Sequence, residues 1–173
     1  LNGSVTVANG GTWSGAGGTF TPNANALNAT YAPSAGELAA GQVTLTLTTT
    51  GNNGCTAVND AVSYTFTPAP TANAGSDLNS CANNASVALN GAITVATGGL
   101  WTGGSGGFSP NNTALNATYV PSAAEIAAGT ATLTLTTVGN GLCSAVSDQV
   151  VVTIAPSPIV DAGTAQSVCA NNA

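Results

Sequence analysis

Two groups of side chains in this chain could do more than form a hydrogen bond. They are six carboxylates (Glu37, Asp60, Asp77, Glu125, Asp148, Asp161) and four thiols (Cys55, Cys81, Cys143, Cys169). There is no Lys, Arg, His or Met in 173 residues, and the formal net charge is −6. General acid–base work would have to rest on carboxylates alone, and these lie far apart in the sequence. No catalytic constellation can be assembled, so neither an enzyme nor a cofactor is expected. Calcium wants six to eight oxygens, several of them from carboxylates, and no Asp-rich loop exists. Asp60 and Asp148 each open a strand after a loop, where capping a turn is preferred to a weak Ca2+ site. Without histidine a mixed Cys/His zinc site is impossible, and the cysteine spacings of 26, 62 and 26 are not those of a zinc ribbon. No metal site is expected. The cysteines sit in Asn/Gly/Ala-rich loops and read as extracellular disulfides.

The charge balance also excludes partners. Nucleic acid needs cations to meet its phosphates, and this chain has none. Attraction to an anionic membrane surface fails for the same reason. Val, Leu, Ile and Ala recur with strand periodicity, which sets the chain apart from disordered segments. No apolar run approaches the roughly 18 residues of a membrane span. No signal peptide opens the chain, so a fragment or a mature product is expected.

The elements that must position these residues come in two copies. Residues 26–49 read ALNATYAPSAGELAAGQVTLTLTT and residues 114–137 read ALNATYVPSAAEIAAGTATLTLTT. An offset of 88 holds without a gap for all 85 pairs formed by 1–85 and 89–173, and 50 of those pairs are identical. This is a tandem array. In each copy Leu-Asn-Ala-Thr-Tyr alternates as a half-buried strand does. Ser34 or Ser122 is placed to cap one helical turn, with Glu37 or Glu125 at the capping-box spacing and Gly41 or Gly129 at its end. A strand over Val43 to Thr49 follows, with Leu45 and Leu47 inward and threonines outward; Leu133 and Leu135 repeat the pattern. A strand, a one-turn corner and a central strand build the E–F region of an immunoglobulin-like sandwich.

The fold expected is therefore all-β, with tandem immunoglobulin-like β-sandwich repeats of 88 residues. A second strand should span about 86–95. Trp13 and Trp101 follow double glycines and read as core anchors on the third strand, and Tyr31 and Tyr119 as core anchors of the repeated stretch. An exposed sugar-stacking tryptophan is the weaker reading, because no second aromatic lies beside it. Gly15 to Gly18 and Gly103 to Gly107 lack the lysine and helix of a phosphate loop and read as bulge or tight-turn glycines. The last strands run from Asp60 to Thr67 and from Asp148 to Ala155, and Pro-x-Pro linkers follow them. The complete repeat is then about 70–157. Residues 1–69 are a repeat lacking its first strand, and 158–173 are the first strand of a following repeat.

In order, each copy shows Ala-Gly, Cys, Leu-Asn-Gly, Gly-Gly-x-Trp, Phe-x-Pro, Ala-Thr-Tyr-x-Pro-Ser, Ala-Ala-Gly, Leu-Thr-Leu-Thr-Thr, Cys, Asp and Pro-x-Pro. This series resembles the repeats of giant Bacteroidota cell-surface proteins, among them gliding-motility adhesins and relatives of PKD and other immunoglobulin-like modules. The resemblance implies export to the bacterial cell surface by the type IX route and a filamentous adhesin or stalk.

Three functions follow as expectations. The leading one is a structural extender of an extracellular fibre, whose partners are neighbouring copies of the same repeat. The second is an adhesion module that holds a surface glycan, ice or another surface ligand, motivated by the Thr-x-Thr ladders. Such ladders also simply reflect β propensity. An enzyme is the third and weakest. Asn-x-Ser/Thr occurs at Asn2, Asn28, Asn84, Asn111 and Asn116, and most such matches in a Thr/Asn-rich chain are coincidence. In the expected strand order Cys81 and Cys143 lie at opposite ends of the sandwich, so a bond between one repeat's A–B turn and the next repeat's F–G loop is favoured; a bond within one repeat would need another strand order. The length is two periods less three residues, so residues 158–173 would supply the first strand for a domain like 1–69. A continuous backbone is favoured over strand donation between chains.

Overall fold

Alternating Thr and Leu produce the longest strands of both copies, because period-2 alternation buries one face and leaves the other to water. A computed structural model describes residues 1–169; positions 170–173, the tail of the expected strand 158–173, lie outside the described residues. The chain divides into two compact units, Leu1–Ala69 and Pro70–Ala173.

Unit 1 contains β1 (Gly10–Ser14), β2 (Thr19–Thr21), β3 (Thr30–Ala32), α1 (Ala35–Ala40), β4 (Gln42–Thr50) and β5 (Asn59–Thr65). One sheet has the order β1-β4-β5, and β2 pairs with β3. Val43, Leu45 and Leu47 of β4 pack with Trp13 as its core.

Unit 2 contains β6 (Thr71–Asn73), β7 (Leu78–Cys81), β8 (Val87–Ala88), β9 (Ala92–Thr94), β10 (Gly98–Gly103), β11 (Gly107–Ser109), β12 (Thr118–Val120), α2 (Ala123–Ala128), β13 (Thr130–Val138) and β14 (Ser147–Ala155). One sheet has the order β10-β13-β14-β7; against it lie the order β11-β12-β8 and the pair β6-β9. In immunoglobulin terms β10, β13 and β14 are strands C, F and G. The opposing layer of β6, β8–β9, β12 and β11 is A, B, E and D. The fold is an all-β immunoglobulin-like sandwich. Its first strand is split: β6 pairs antiparallel with β9, then β7 crosses to run parallel with β14. Between the sheets Trp101, Tyr119, Leu133, Leu135, Val150 and Val152 are completely buried.

Several expected elements are shorter in the structure or carry no strand, and the last strand of the first copy ends at Thr65 instead of Thr67. The strand over Leu27–Tyr31 begins only at Thr30, and the corresponding one at Thr118. Residues before it form turns whose carbonyls are already engaged: Leu27 O accepts from Gly3 N at 2.9 Å and from Trp13 Nε1 at 3.3 Å. The strand expected over 86–95 breaks into β8 and β9. Between them Gly91 lies under the Trp101 ring, where an added Cβ would sit 2.8 Å from Leu135 Cδ2 and 2.9 Å from Trp101 Cζ2. It ends at Thr94 because Val95 turns to φ 65, as does Val7 at φ 68 in the first copy. A β-branched residue in that region is strained. The strand expected over 158–173 carries no pairing across its described part, because a lone strand has no ladder to complete its backbone hydrogen bonds.

Candidate functional site

Both copies place their acidic helix residue in the same cage. Ser122 has an extended backbone (φ −71, ψ 163) and caps α2, with both halves of the capping box formed. This local geometry aims Glu125 back over the preceding loop. Its Oε1 accepts from Tyr119 Oη at 2.8 Å and from Ser105 N at 2.9 Å; its Oε2 accepts from Ser122 N at 2.8 Å. Gly106 N donates to Tyr119 Oη at 2.9 Å. In unit 1 Glu37 accepts from Tyr31 Oη (2.7 Å), Ser34 N (2.7 Å) and Gly17 N (2.8 Å), and Gly18 N donates to Tyr31 Oη (2.9 Å). Only glycine fits at 106, because an added Cβ would run into the Val120 carbonyl. The glycine-rich loop is therefore the wall of a tyrosine–glutamate lock, which sequence reasoning missed. The available signal was the joint repetition of Gly18/Gly106, Tyr31/Tyr119 and Glu37/Glu125 at offset 88.

The lock perturbs both of its titrating groups. For Glu125, burial pushes the carboxyl up, but donors from Ser122, Ser105 and Tyr119 outweigh it and hold the group at about 2. Glu37 is also held at about 2, first by the Tyr31 hydroxyl and then by Ser34 N. Burial, then the Glu125 hydrogen bond, pushes Tyr119 up to about 12, and Tyr31 is raised for the same reasons. A carboxylate so fully provided with donors is a poor base, and a phenol in that state is a poor acid. The cluster holds structure.

The remaining candidates are separated. Trp101 is fully buried and Trp13 nearly so, and Trp101 Nε1 donates to Leu115 O at 3.2 Å, so neither offers a platform for a sugar. Tyr119 is buried, whereas Tyr31 is only half-buried, because unit 1 is open along that flank. Asp148 does not cap a turn: its Oδ2 accepts from Ala74 N across 74 residues at 2.8 Å, and Asp77 Oδ1 accepts from Val151 N at 2.9 Å. These carboxylates latch the first strand to β14. Among the described residues no group of three or more His, Cys, Asp or Glu could hold a metal. No helix among them is long and apolar enough to cross a membrane.

The structure contains no disulfide among the described residues. Cys81 lies opposite Ala155, at the far end of β14, and its Sγ is 3.7 Å from Pro156 O. Cys143 precedes Ser147, the first residue of the same nine-residue strand. The strand separates the two by roughly 26 Å at ~3.3 Å per residue, far beyond the ~7 Å between Cα atoms that a disulfide tolerates. Cys55 and Cys169 are exposed.

No family model matches the chain, and no curated protein sequence matches it. Among solved structures it is similar to the crystal structure of the human desmocollin-1 ectodomain, with a TM-score of 0.38 and 9% identity over 86% of this chain and 35% of that chain. The chain thus spans about a third of that ectodomain's length, and the fold assignment rests on the strand order given above.

Proposed function

We propose that the chain is a pair of structural extender repeats from an extracellular bacterial surface fibre or adhesin stalk, with length and stiffness as its function and no catalysis. The carrying observation is that the glutamates and tryptophans of both copies, and two aspartates of unit 2, are spent on the fold. Glu37 and Glu125 are saturated by donors, Trp13 and Trp101 are in the core, and Asp77 and Asp148 latch a strand. A binding module would instead leave an aromatic or carboxylate cluster open in one copy. On the outer face of β13 Thr134 is engaged with a neighbour, since Gln149 Nε2 donates to its Oγ1 at 3.2 Å. Resemblance to Bacteroidota surface repeats supports the bacterial surface as location, and neighbouring repeats are the partners.

Single-molecule pulling on the chain tests this reading. Unit 2 should unfold in one cooperative step that releases roughly 300 Å of chain, about 88 residues at ~3.5 Å each, less its folded length. Extension without a resolvable force peak would sink the extender reading, since a spacer that yields without resistance sets no length.

A further inference from the structure

The first and last strands of unit 2 run side by side in the same direction. β7 is parallel to β14, with Leu78 opposite Val152, Asn79 opposite Thr153, Ser80 opposite Ile154 and Cys81 opposite Ala155. Ala82 N extends the contact by donating to Ala155 O at 2.8 Å. The backbone therefore enters unit 2 at one end of this pair and leaves it at the other. Tension along the backbone pulls the two strands in opposite directions along their own axes. The ladder bonds lie across that load, so they must break together instead of one after another. Repeats in series under tension carry the same force, whatever precedes or follows them.

Two side chains cross between the same strands. Asp148 of β14 accepts at Oδ2 from Ala74 N at 2.8 Å. Asp77, just before β7, accepts at Oδ1 from Val151 N at 2.9 Å. One carboxylate reaches from the last strand to the first segment and the other reaches back, each across 74 residues of sequence. Hydrogen bonds to carboxylates are roughly twice as strong as neutral ones. Ala74 is 2% exposed, which keeps competing water from the first of them. The latches also act where the ladder is missing. β7 meets β14 in four residue pairs that begin at Val152, and Asp148 and Val151 come before them, so the latches lengthen the joined stretch. Force entering at Thr71 meets the short β6–β9 pair first and the latched stretch behind it.

We infer that Asp77 and Asp148 pin the terminal strands of unit 2 against shear, making the β7–β14 pair its force-bearing clamp. The use of such a clamp rests on the extender reading, since a tethered spacer is loaded through its ends. The Tyr119–Glu125 lock offers an internal contrast: it joins β12, α2 and the glycine-rich loop, and neither terminal strand takes part in it.

Pulling on the full chain through its two ends at a fixed load tests this, with the unit 2 event recognised by its released length. Asp77→Ala and Asp148→Ala should each raise the unfolding rate of unit 2 under load by roughly tenfold, the loss of one hydrogen bond to a charged group. Asp77→Asn and Asp148→Asn keep an acceptor oxygen and should show a smaller rise; they carry the test if an Ala variant fails to fold. Tyr119→Phe weakens the lock but neither terminal strand, so it should lower stability to urea and leave the loaded rate near that of wild type. The Ala variants unfolding under load at the wild-type rate, or the Asn variants doing so where Ala does not fold, overturn the inference. A Tyr119→Phe chain that unfolds under load as fast as the Ala variants overturns it too. Either result leaves the wild-type force peak, and the extender reading with it, standing. A wild-type chain that extends without a resolvable peak overturns both.

Discussion

Glu125 and Tyr119 make the stability of unit 2 depend on pH at both extremes. A carboxyl held at about 2 instead of 4.5 contributes stability that is complete above pH 4.5 and is lost as pH falls toward 2. A shift of that size represents roughly 3 kcal/mol in full, and solvent screening at the rim of the site leaves on the order of 1–2. Tyr119, pushed up from 10.0 to about 12, has the opposite sign: its contribution is complete below pH 10 and is lost as pH rises through 12. Urea unfolding of unit 2 should therefore give a plateau between about pH 5 and 10, with losses on either side. Tyr119→Phe removes a charge-assisted hydrogen bond to a buried carboxylate. It should cost about 1.5–3 kcal/mol and abolish the alkaline loss; an unchanged alkaline limb would refute the lock.

At the scale of elements, β10 and β13 are held by one ring. Trp101 sits opposite Leu135 in their register and is completely buried. Trp101→Ala should cost about 3–5 kcal/mol, read as a shifted denaturation midpoint. Gly91→Ala tests the same contact from the other side, since the new methyl would press on Leu135 and Trp101. Overpacking of this kind costs about 1–3 kcal/mol, and a neutral Gly91→Ala would show that β8 and β9 can separate freely. The alternation of β4 and β13 was legible in the sequence because period 2 is imposed by the pleat. The break between β8 and β9 was not, because it comes from the tryptophan ring lying over Gly91, 10 residues earlier in the chain.

For the whole molecule, the two units should melt separately. Unit 1 leaves Val62 and Tyr64 partly exposed, while their counterparts in unit 2 are completely buried, so its buried apolar area per residue is smaller and it should unfold first. Trp101→Phe leaves Trp13 as the reporter of unit 1, and Trp13→Phe leaves Trp101 as that of unit 2. Coincident fluorescence transitions in the two variants would contradict the assignment. The cysteines are a second check. Non-reducing peptide mapping should find no Cys81–Cys143 link within one unit, because β14 holds them at opposite ends; recovery of that peptide pair would overturn the strand order.

The 88-residue offset, the alternating strands and the capping boxes are local or periodic, so the sequence by itself determined the repeat, the fold class and the absence of cationic chemistry. Contacts between distant segments were decided only in three dimensions. Tyr119 Oη meets Gly106 N across 13 residues and Asp148 meets Ala74 N across 74, and no spacing rule links such pairs. The same holds for the open flank. Val62 and Val150 are one residue type in one register, and their difference in exposure depends on whether a strand from elsewhere in the backbone lies against them.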